Sequence, residues 1–166
     1  MATKSAMIIE EEYGNYYTIS LDSYDRTPYA RTPAFNIITE DNKSIFEAKE
    51  KMFFKGDIID IKPSADGKVI WTKKQDYKDH NYEYAVVLDY KAFNLKKELK
   101  VYSNKILLKV YGNKILKKDI LTVSDNTLQP GQRILLEKCD KSYAIIHNIT
   151  LAKYIYDVQQ NGPQIR

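Results

Sequence analysis

The sequence predicts a mainly β protein in which 166 residues form one or two small barrels, with one short helix near residues 44–54. Three observations lead to this prediction. Short apolar runs rich in β-branched residues alternate with polar turn segments. Two stretches, 53–71 and 128–149, resemble one another as β-hairpins. Tyr is abundant, with 14 residues against 5 Phe and 1 Trp, and Tyr favours strands and half-buried sheet faces.

The two hairpin stretches align without a gap when the first is shifted by 75 residues, the distance from Gly56 to Gly131. We interpret the Gly before each hairpin as a residue that adopts a backbone conformation other residues avoid. The alternative is that any two β-hairpins share this pattern. The shift places Gly56 on Gly131, Ile59 on Ile134, Ile61 on Leu136, Ile70 on Ile145 and Trp71 on Ile146.

The first strand that the sequence predicts follows Gly14-Asn15, because Tyr17, Ile19 and Leu21 alternate with polar residues. Residues 25–35 follow, and their two Pro predict an extended segment at a sheet edge or over a surface. This Pro segment is a candidate partner contact, and the alternative is a solvated loop. Its candidate contact residues are Tyr24, Arg26, Tyr29, Arg31 and Phe35.

A short helix is predicted next, over about residues 44–54. Ser44 and Glu47 match a capping box, and Ile45, Ala48 and Met52 would share one helix face. Gly56 would end this helix, which would plug one end of a small, bent sheet. The polar stretch 73–81 then connects two halves, so the predicted domains are 1–80, 81–150 and a C-terminal tail, 151–166.

The second half opens with a strand at 84–89, whose sequence is similar to 17–22. Two copies of Val-Tyr-Ser/Gly-Asn-Lys-Ile-Leu follow, and we interpret them as a β-meander, although a basic helix is the competing interpretation. The predicted strands cover about 99–102, 105–111 and 114–123, followed by the hairpin at 133–149. The tail from Leu151 is expected to be flexible or ordered only by a partner, and Tyr154 and Tyr156 are candidate partner contacts.

Signatures of catalysis are not recognisable in the sequence. His80 and His147 do not have metal-ligand spacing, and lone Cys139 has no activating neighbour in sequence. No phosphate-binding or nucleophile motif occurs. We therefore expect no enzyme, no cofactor and no metal site. The sequence also gives no sign of a secretion signal or a membrane span, so we expect the chain to be made in a cytoplasm.

A single-strand nucleic-acid binder of OB type is the alternative function. The net charge of +4 comes from 26 basic and 22 acidic residues, so charge alone does not favour nucleic acid. Small barrels bind single strands through aromatic platforms in basic grooves. The matching candidate residues are Tyr102, Lys105, Lys109, Tyr111 and Lys114. The alternative for these residues is a solvated face whose lysines protect a sheet edge.

The pattern L-x-x-G-x-x-I-L-L followed by S-Y-x-I-I resembles the closing hairpin of small OB-like proteins in the baseplate hub of contractile-tailed phages and related particles. The resemblance covers about 22 residues and implies OB-like or SH3-like barrels, one or two in this chain. The matching residues are Leu128, Gly131, Ile134, Leu135, Leu136, Tyr143, Ile145 and Ile146.

This resemblance implies a non-enzymatic structural protein of the virion. Its partners would be other tail or baseplate proteins, such as hub, tube or wedge subunits, in a multi-copy assembly formed in the host cytoplasm. Tyr-rich surfaces and extended segments suit such permanent protein contacts. Membrane contact is not expected, and nucleic acid is a partner only under the alternative function.

Overall fold

The computed structural model describes residues 3–22, 25, 27–93, 96–103, 107–111, 128–139 and 142–161. The chain divides into two compact units, Met1–His80 and Asn81–Arg166, and each unit contains one sheet. The described residues form a mainly β fold with two sheets and one short helix. This result confirms the predicted fold class, although not the predicted place of the helix.

The first unit contains a six-stranded sheet with the strand order β3-β2-β1-β5-β6-β4. Its neighbouring strands are antiparallel, except that β4 runs parallel to β6. The long central strand β1 pairs with β2 on one side and with β5 on the other. The strands are β1 (Lys4–Glu12), β2 (Asn15–Ser20), β3 (Tyr29–Pro33), β4 (Ile37–Ile38), β5 (Ile58–Pro63) and β6 (Val69–Gln75).

The two outermost strands of this sheet are neighbours along the chain. β3 ends at Pro33 and β4 begins at Ile37, with a single 3₁₀ turn, Ala34–Asn36, between them. In a flat sheet, the outer two of six strands would lie about 24 Å apart. The chain from Pro33 to Ile37 reaches at most about 14 Å. The sheet must therefore curl until its edges approach, as in a small barrel.

The apolar core of the first unit surrounds Trp71. The Trp71 ring packs edge-on against Tyr16 and Phe53, with ring centroids 5.3 and 5.4 Å apart. Phe53 comes from the long connection between β4 and β5, and it is buried together with residues of the sheet. The buried cluster consists of Ala6, Ile8, Tyr16, Ala34, Ile37, Phe53, Ile59 and Trp71.

The helix predicted at 44–54 does not form. Ser44 makes an antiparallel bridge to Ile38, so its backbone continues the sheet and does not cap a helix. Ala48 N donates to Ile45 O in an isolated turn, and residues 51–54 are irregular. Short helices are only marginally stable without tertiary support. Of the predicted apolar face, Ile45 packs against the core, whereas Ala48 and Met52 are exposed. The buried ring of this connection is that of Phe53.

The second unit contains a five-stranded sheet with the order β11-β10-β7-β8-β9, followed by the one helix of the described residues, α1 (Ile149–Asn161). The prediction of a flexible tail from Leu151 is therefore wrong as far as Asn161. The strand predicted at 114–123 lies outside the described residues. The strands are β7 (Tyr82–Phe93), β8 (Lys96–Ser103), β9 (Leu107–Tyr111), β10 (Arg133–Cys139) and β11 (Ser142–Asn148).

The two sheets have the same internal strand order. The sequence β3-β2-β1-β5-β6 in the first unit corresponds to β9-β8-β7-β10-β11 in the second. The register also agrees, because Met7 pairs with Ile58 as Val86 pairs with Arg133. The first strand of each unit has a β-bulge at the same place, between Ile8 and Glu10 and between Val87 and Asp89.

This correspondence corrects two details of the sequence comparison. Residues 17–22 lie mainly in β2 and 84–89 in β7, but β7 corresponds to β1, so the similarity of these two stretches has no structural counterpart. In the hairpins, Ile61 pairs with Trp71, whereas Leu136 pairs with Ile145. A bulge between Leu135 and Leu136 shifts the second hairpin by one residue relative to the gapless alignment.

Candidate functional site

The Pro segment is placed only in part on the surface. Arg31 lies exposed in β3, and Phe35 is 60% exposed in the 3₁₀ turn that follows. Tyr29 is buried, because its strand pairs with β2 and its ring contacts Tyr17 at a centroid distance of 6.0 Å. Its ring is therefore not available to a partner. Tyr24 and Arg26 lie outside the described residues.

The other predicted contact residues lie on α1. Tyr154 is 66% exposed, and Tyr156 is half-buried. The helix buries Ile149 and Ala152 near its start and leaves Ile155 and Val158 exposed. Of the predicted contact residues that the structure describes, Arg31, Phe35 and Tyr154 are the most accessible.

Of the candidate nucleic-acid residues, Tyr102 lies in β8, and Lys109 and Tyr111 lie in β9. The register places Tyr102 opposite Leu107 and Lys100 opposite Lys109. Tyr111, at the end of β9, lies opposite Glu98. Lys105 and Lys114 lie outside the described residues.

A surface that the sequence analysis did not predict lies beside the first hairpin. Phe54 and Tyr77 are 40% and 45% exposed, and their ring centroids lie 6.4 Å apart at an interplanar angle of 49°. Lys51 Nζ and Lys73 Nζ lie 5.4 and 5.3 Å from the Phe54 centroid, and Lys78 Nζ lies 5.2 Å from that of Tyr77. We call these five residues the aromatic–lysine surface.

The buried carboxylate of Asp57 positions three members of this surface. Oδ2 accepts a hydrogen bond from Phe54 N at 2.8 Å, and Oδ1 accepts one from Tyr77 N at 2.9 Å. Lys73 Nζ lies 3.0 Å from Oδ2. Buried charges need such partners, since an unpaired charge in the interior is costly. One side chain therefore joins the turn before β5 to the end of β6 and the turn that follows it.

Gly56 fixes the same turn against the sheet. Its φ of +95° lies in the left-handed region, where residues with a Cβ are strained. Gly56 N donates to Ile8 O at 2.6 Å, and Ile8 N donates to Asp57 O at 2.9 Å. A hydrogen bond of 2.7 Å also joins Gly56 O to Nε2 of His80. The turn is therefore hydrogen-bonded to β1 on one side and to His80 on the other.

The second unit builds this turn again with uncharged side chains. Gly131 has a φ of +90°, and its N–H donates to Val87 O while Val87 N donates to Gln132 O. Oε1 of Gln132 accepts from Gln129 N at 2.9 Å and from Nδ2 of Asn148 at 3.0 Å. The shift of 75 residues places Asp57 on Gln132 and Lys73 on Asn148. An amide pair thus occupies the place of the ion pair.

Tyr16 and Glu11 lie beside the aromatic–lysine surface of the first unit. Lys51 of the aromatic–lysine surface forms an ion pair with Glu11. Burial raises the pKa of Tyr16 to about 12, and the negative charge of Glu11 adds to this effect. The Tyr16 hydroxyl therefore stays protonated at any ordinary pH.

The described part of the chain contains no group of three or more His, Cys, Asp or Glu residues that could hold a metal ion. Within the same residues, no helix is long and apolar enough to cross a bilayer. Comparison of the chain with protein-family models and with curated proteins found no match in either case.

Proposed function

We propose that the chain is a non-enzymatic structural component of the baseplate of a contractile-tailed phage or a related particle. In this function it would join hub, tube or wedge subunits through protein–protein contacts. It would be present in several copies in the virion, after assembly in the host cytoplasm.

The observation that carries this proposal is the hairpin of β10 and β11. Six of the residues that resemble the closing hairpin of baseplate OB-like proteins are buried, and Gly131 introduces the hairpin in a left-handed conformation. The buried residues are Leu128, Ile134, Leu135, Leu136, Ile145 and Ile146. The resemblance thus falls on residues that determine how this unit is built, which supports carrying the family's structural function over.

Exposed apolar side chains on both units supply surfaces for such contacts. Phe35 and Phe46 in the first unit and Tyr154 in the second are each more than half exposed. Aromatic side chains give large contact areas in protein interfaces. A protein that forms permanent contacts through its surface has a use for these residues.

The test uses particles from the host that encodes the chain. We expect quantitative mass spectrometry of purified tails to detect the protein in a fixed number of copies per particle. We also expect that deletion of its coding sequence stops tail assembly before the sheath forms, as seen by electron microscopy. Complete, infective particles without the protein would contradict the proposal.

The alternative, binding of single-stranded nucleic acid, is tested on the same purified protein. An oligonucleotide titration at low salt and at about 0.15 M salt would show affinity that falls steeply with salt if nucleic acid is the ligand. Such binding, together with absence from particles, would replace the baseplate proposal by the alternative.

A further inference from the structure

The ion pair between Asp57 and Lys73 is not needed to form the turn that contains it. The second unit makes the same turn with Gln132 and Asn148, including the backbone bond from residue 132 to Gln129 O at 3.1 Å. In the first unit, Asp57 N donates to Phe54 O at 3.0 Å. Burying charges has a desolvation cost that an amide pair largely avoids. The charged pair therefore does something beyond holding the turn.

Three differences between the two turns contribute to one surface. The shift of 75 residues places Phe54 on Gln129 and Tyr77 on Ala152. Ala152 is buried in α1, whereas Tyr77 is half-exposed and packs over Gly56. At these two positions the second unit has the amide of Gln129 and the methyl group of Ala152, whereas the first unit has two aromatic rings. With Lys73 in place of Asn148, these substitutions assemble exposed rings and ammonium groups around one buried carboxylate.

The charge of this region favours an acidic partner. Residues 49–57 and 73–80 contain six Lys against four acidic residues, and Glu11 adds a fifth acid that pairs with Lys51, so the net charge is +1 with neutral His; one of the acids, Asp57, is buried. Opposite charge across an interface increases the association rate and the specificity. A partner segment rich in carboxylates fits this surface better than a basic one.

The ring geometry favours a protein segment over the bases of a nucleic acid. Bases stack on open aromatic faces. Here Lys51, Lys73 and Lys78 place ammonium groups over the rings, and the two rings are tilted by 49° to one another. Lys51 and Lys73 already pair with Glu11 and Asp57, whereas Lys78 forms no ion pair within the described residues, so an incoming carboxylate can pair with Lys78. Apolar side chains of the same segment can pack against the exposed parts of the two rings.

We propose that the aromatic–lysine surface is a docking site for an acidic segment of a partner protein, in which carboxylates alternate with apolar side chains. Asp57 is the positioning residue of this site, since it fixes Phe54, Tyr77 and Lys73 at once. The proposal rests on the proposed structural function, because it names the kind of partner that such a protein would hold.

The test is a titration of the full-length protein followed by amide NMR spectra. The probe is a short synthetic peptide in which Glu alternates with Leu and Phe. A peptide with Lys in place of Glu and an oligothymidine serve as comparison ligands. We expect the acidic peptide to shift the amide signals of residues 54–57 and 73–78, with weaker binding as salt increases. We expect neither comparison ligand to shift them.

Three variants and one control identify the surface. We expect Phe54→Ala and Tyr77→Ala each to weaken binding of the acidic peptide by about tenfold, the loss expected for an aromatic anchor. Tyr13→Ala removes a 91% exposed ring from the same unit outside this surface and should leave binding unchanged. The double variant Asp57→Gln/Lys73→Asn installs the amide pair of the second unit. It should keep the fold and weaken binding.

Three outcomes would overturn the proposal. They are no shifts at millimolar acidic peptide, shifts that Tyr13→Ala abolishes and Phe54→Ala does not, and binding of oligothymidine in preference to the peptide. The result is independent of the particle experiment. A protein found in particles that does not bind the peptide contradicts the docking site alone, whereas peptide binding by a protein absent from particles contradicts only the baseplate function.

Discussion

The carboxylate of Asp57 and the amide oxygen of Gln132 accept the same hydrogen bond, each from the backbone nitrogen three residues earlier. Each also binds a side chain from the end of the partner strand, Lys73 in one unit and Asn148 in the other. The two units therefore solve one structural problem with different chemistry. This relationship makes the chain its own control for several predictions.

Asp57→Ala should destabilise the first unit by about 2–4 kcal/mol, because two backbone N–H groups lose their buried acceptor and Lys73 loses its ion-pair partner. Chemical denaturation, followed by amide signals of each unit separately, measures this loss. The double variant Asp57→Gln/Lys73→Asn should recover much of it. If the double variant is as unstable as Asp57→Ala, the turns are not interchangeable.

Gly56→Ala should be more destabilising than Gly131→Ala. Both residues have a left-handed φ, where a Cβ costs roughly 1–2 kcal/mol. A Cβ on Gly56 would also lie 2.9 Å from Cβ of Tyr77, whereas one on Gly131 would meet nothing within 4 Å. Thermal unfolding of the two variants gives the comparison. Equal losses would show that Tyr77 moves aside without cost.

Ionisation of the Tyr16 hydroxyl should lower the free energy of unfolding of the first unit at high pH. The unfolded chain releases the Tyr16 proton near pH 10, and the folded chain holds it up to about pH 12 because of burial and Glu11. The unfolded state therefore binds fewer protons between these values. The stabilisation is complete below about pH 10 and is lost as the pH rises towards 12.

Denaturation of the wild type and Tyr16→Phe at pH 8 to 12 measures this effect, in a range that follows from the two pKa values. We expect the stability of the variant to fall less steeply above pH 10. Parallel curves for the two proteins would contradict the assignment, since the other titrating residues are common to both.

Asn148→Ala should loosen the start of α1 together with the second turn. Asn148 Oδ1 accepts a hydrogen bond from Leu151 N at 3.1 Å, and its Nδ2 donates to Gln132. Loss of a helix cap costs about 1 kcal/mol, and Gln132 loses a partner as well. Hydrogen exchange at the Leu151 amide should become faster. Lys153→Ala, which breaks a surface ion pair with Asp157 in the same helix, should change it little.

The hairpins were predictable because their signal is local. Gly56 and Gly131 precede apolar runs with turn residues between them, and both glycines have the left-handed φ that their position suggests. The prediction of a helix at 44–54 was wrong because a contact with a residue outside the segment outweighs the local signal. Its capping box is equally local, but the bridge from Ser44 to Ile38 is a tertiary contact that competes for the same backbone.

The aromatic–lysine surface was not predictable from local pattern. Phe54 and Tyr77 are separated by a whole hairpin, and a buried carboxylate between them brings them together. A signal existed in the shift of 75 residues, which places Phe54 on Gln129 and Tyr77 on Ala152. Sequence alone could not show that these differences share one surface. The start of α1 was missed similarly, because its cap, Asn148, reads as part of a strand.

The central position of β1 has a consequence for synthesis on the ribosome. β1 ends at Glu12, yet one of its edges pairs with β5, which begins only at Ile58. The buried Met7, Ile8 and Ile9 therefore emerge long before their second partner strand has been made. Pairings this distant in sequence form slowly. The nascent chain must keep an apolar strand with an open edge soluble until β5 has left the exit tunnel.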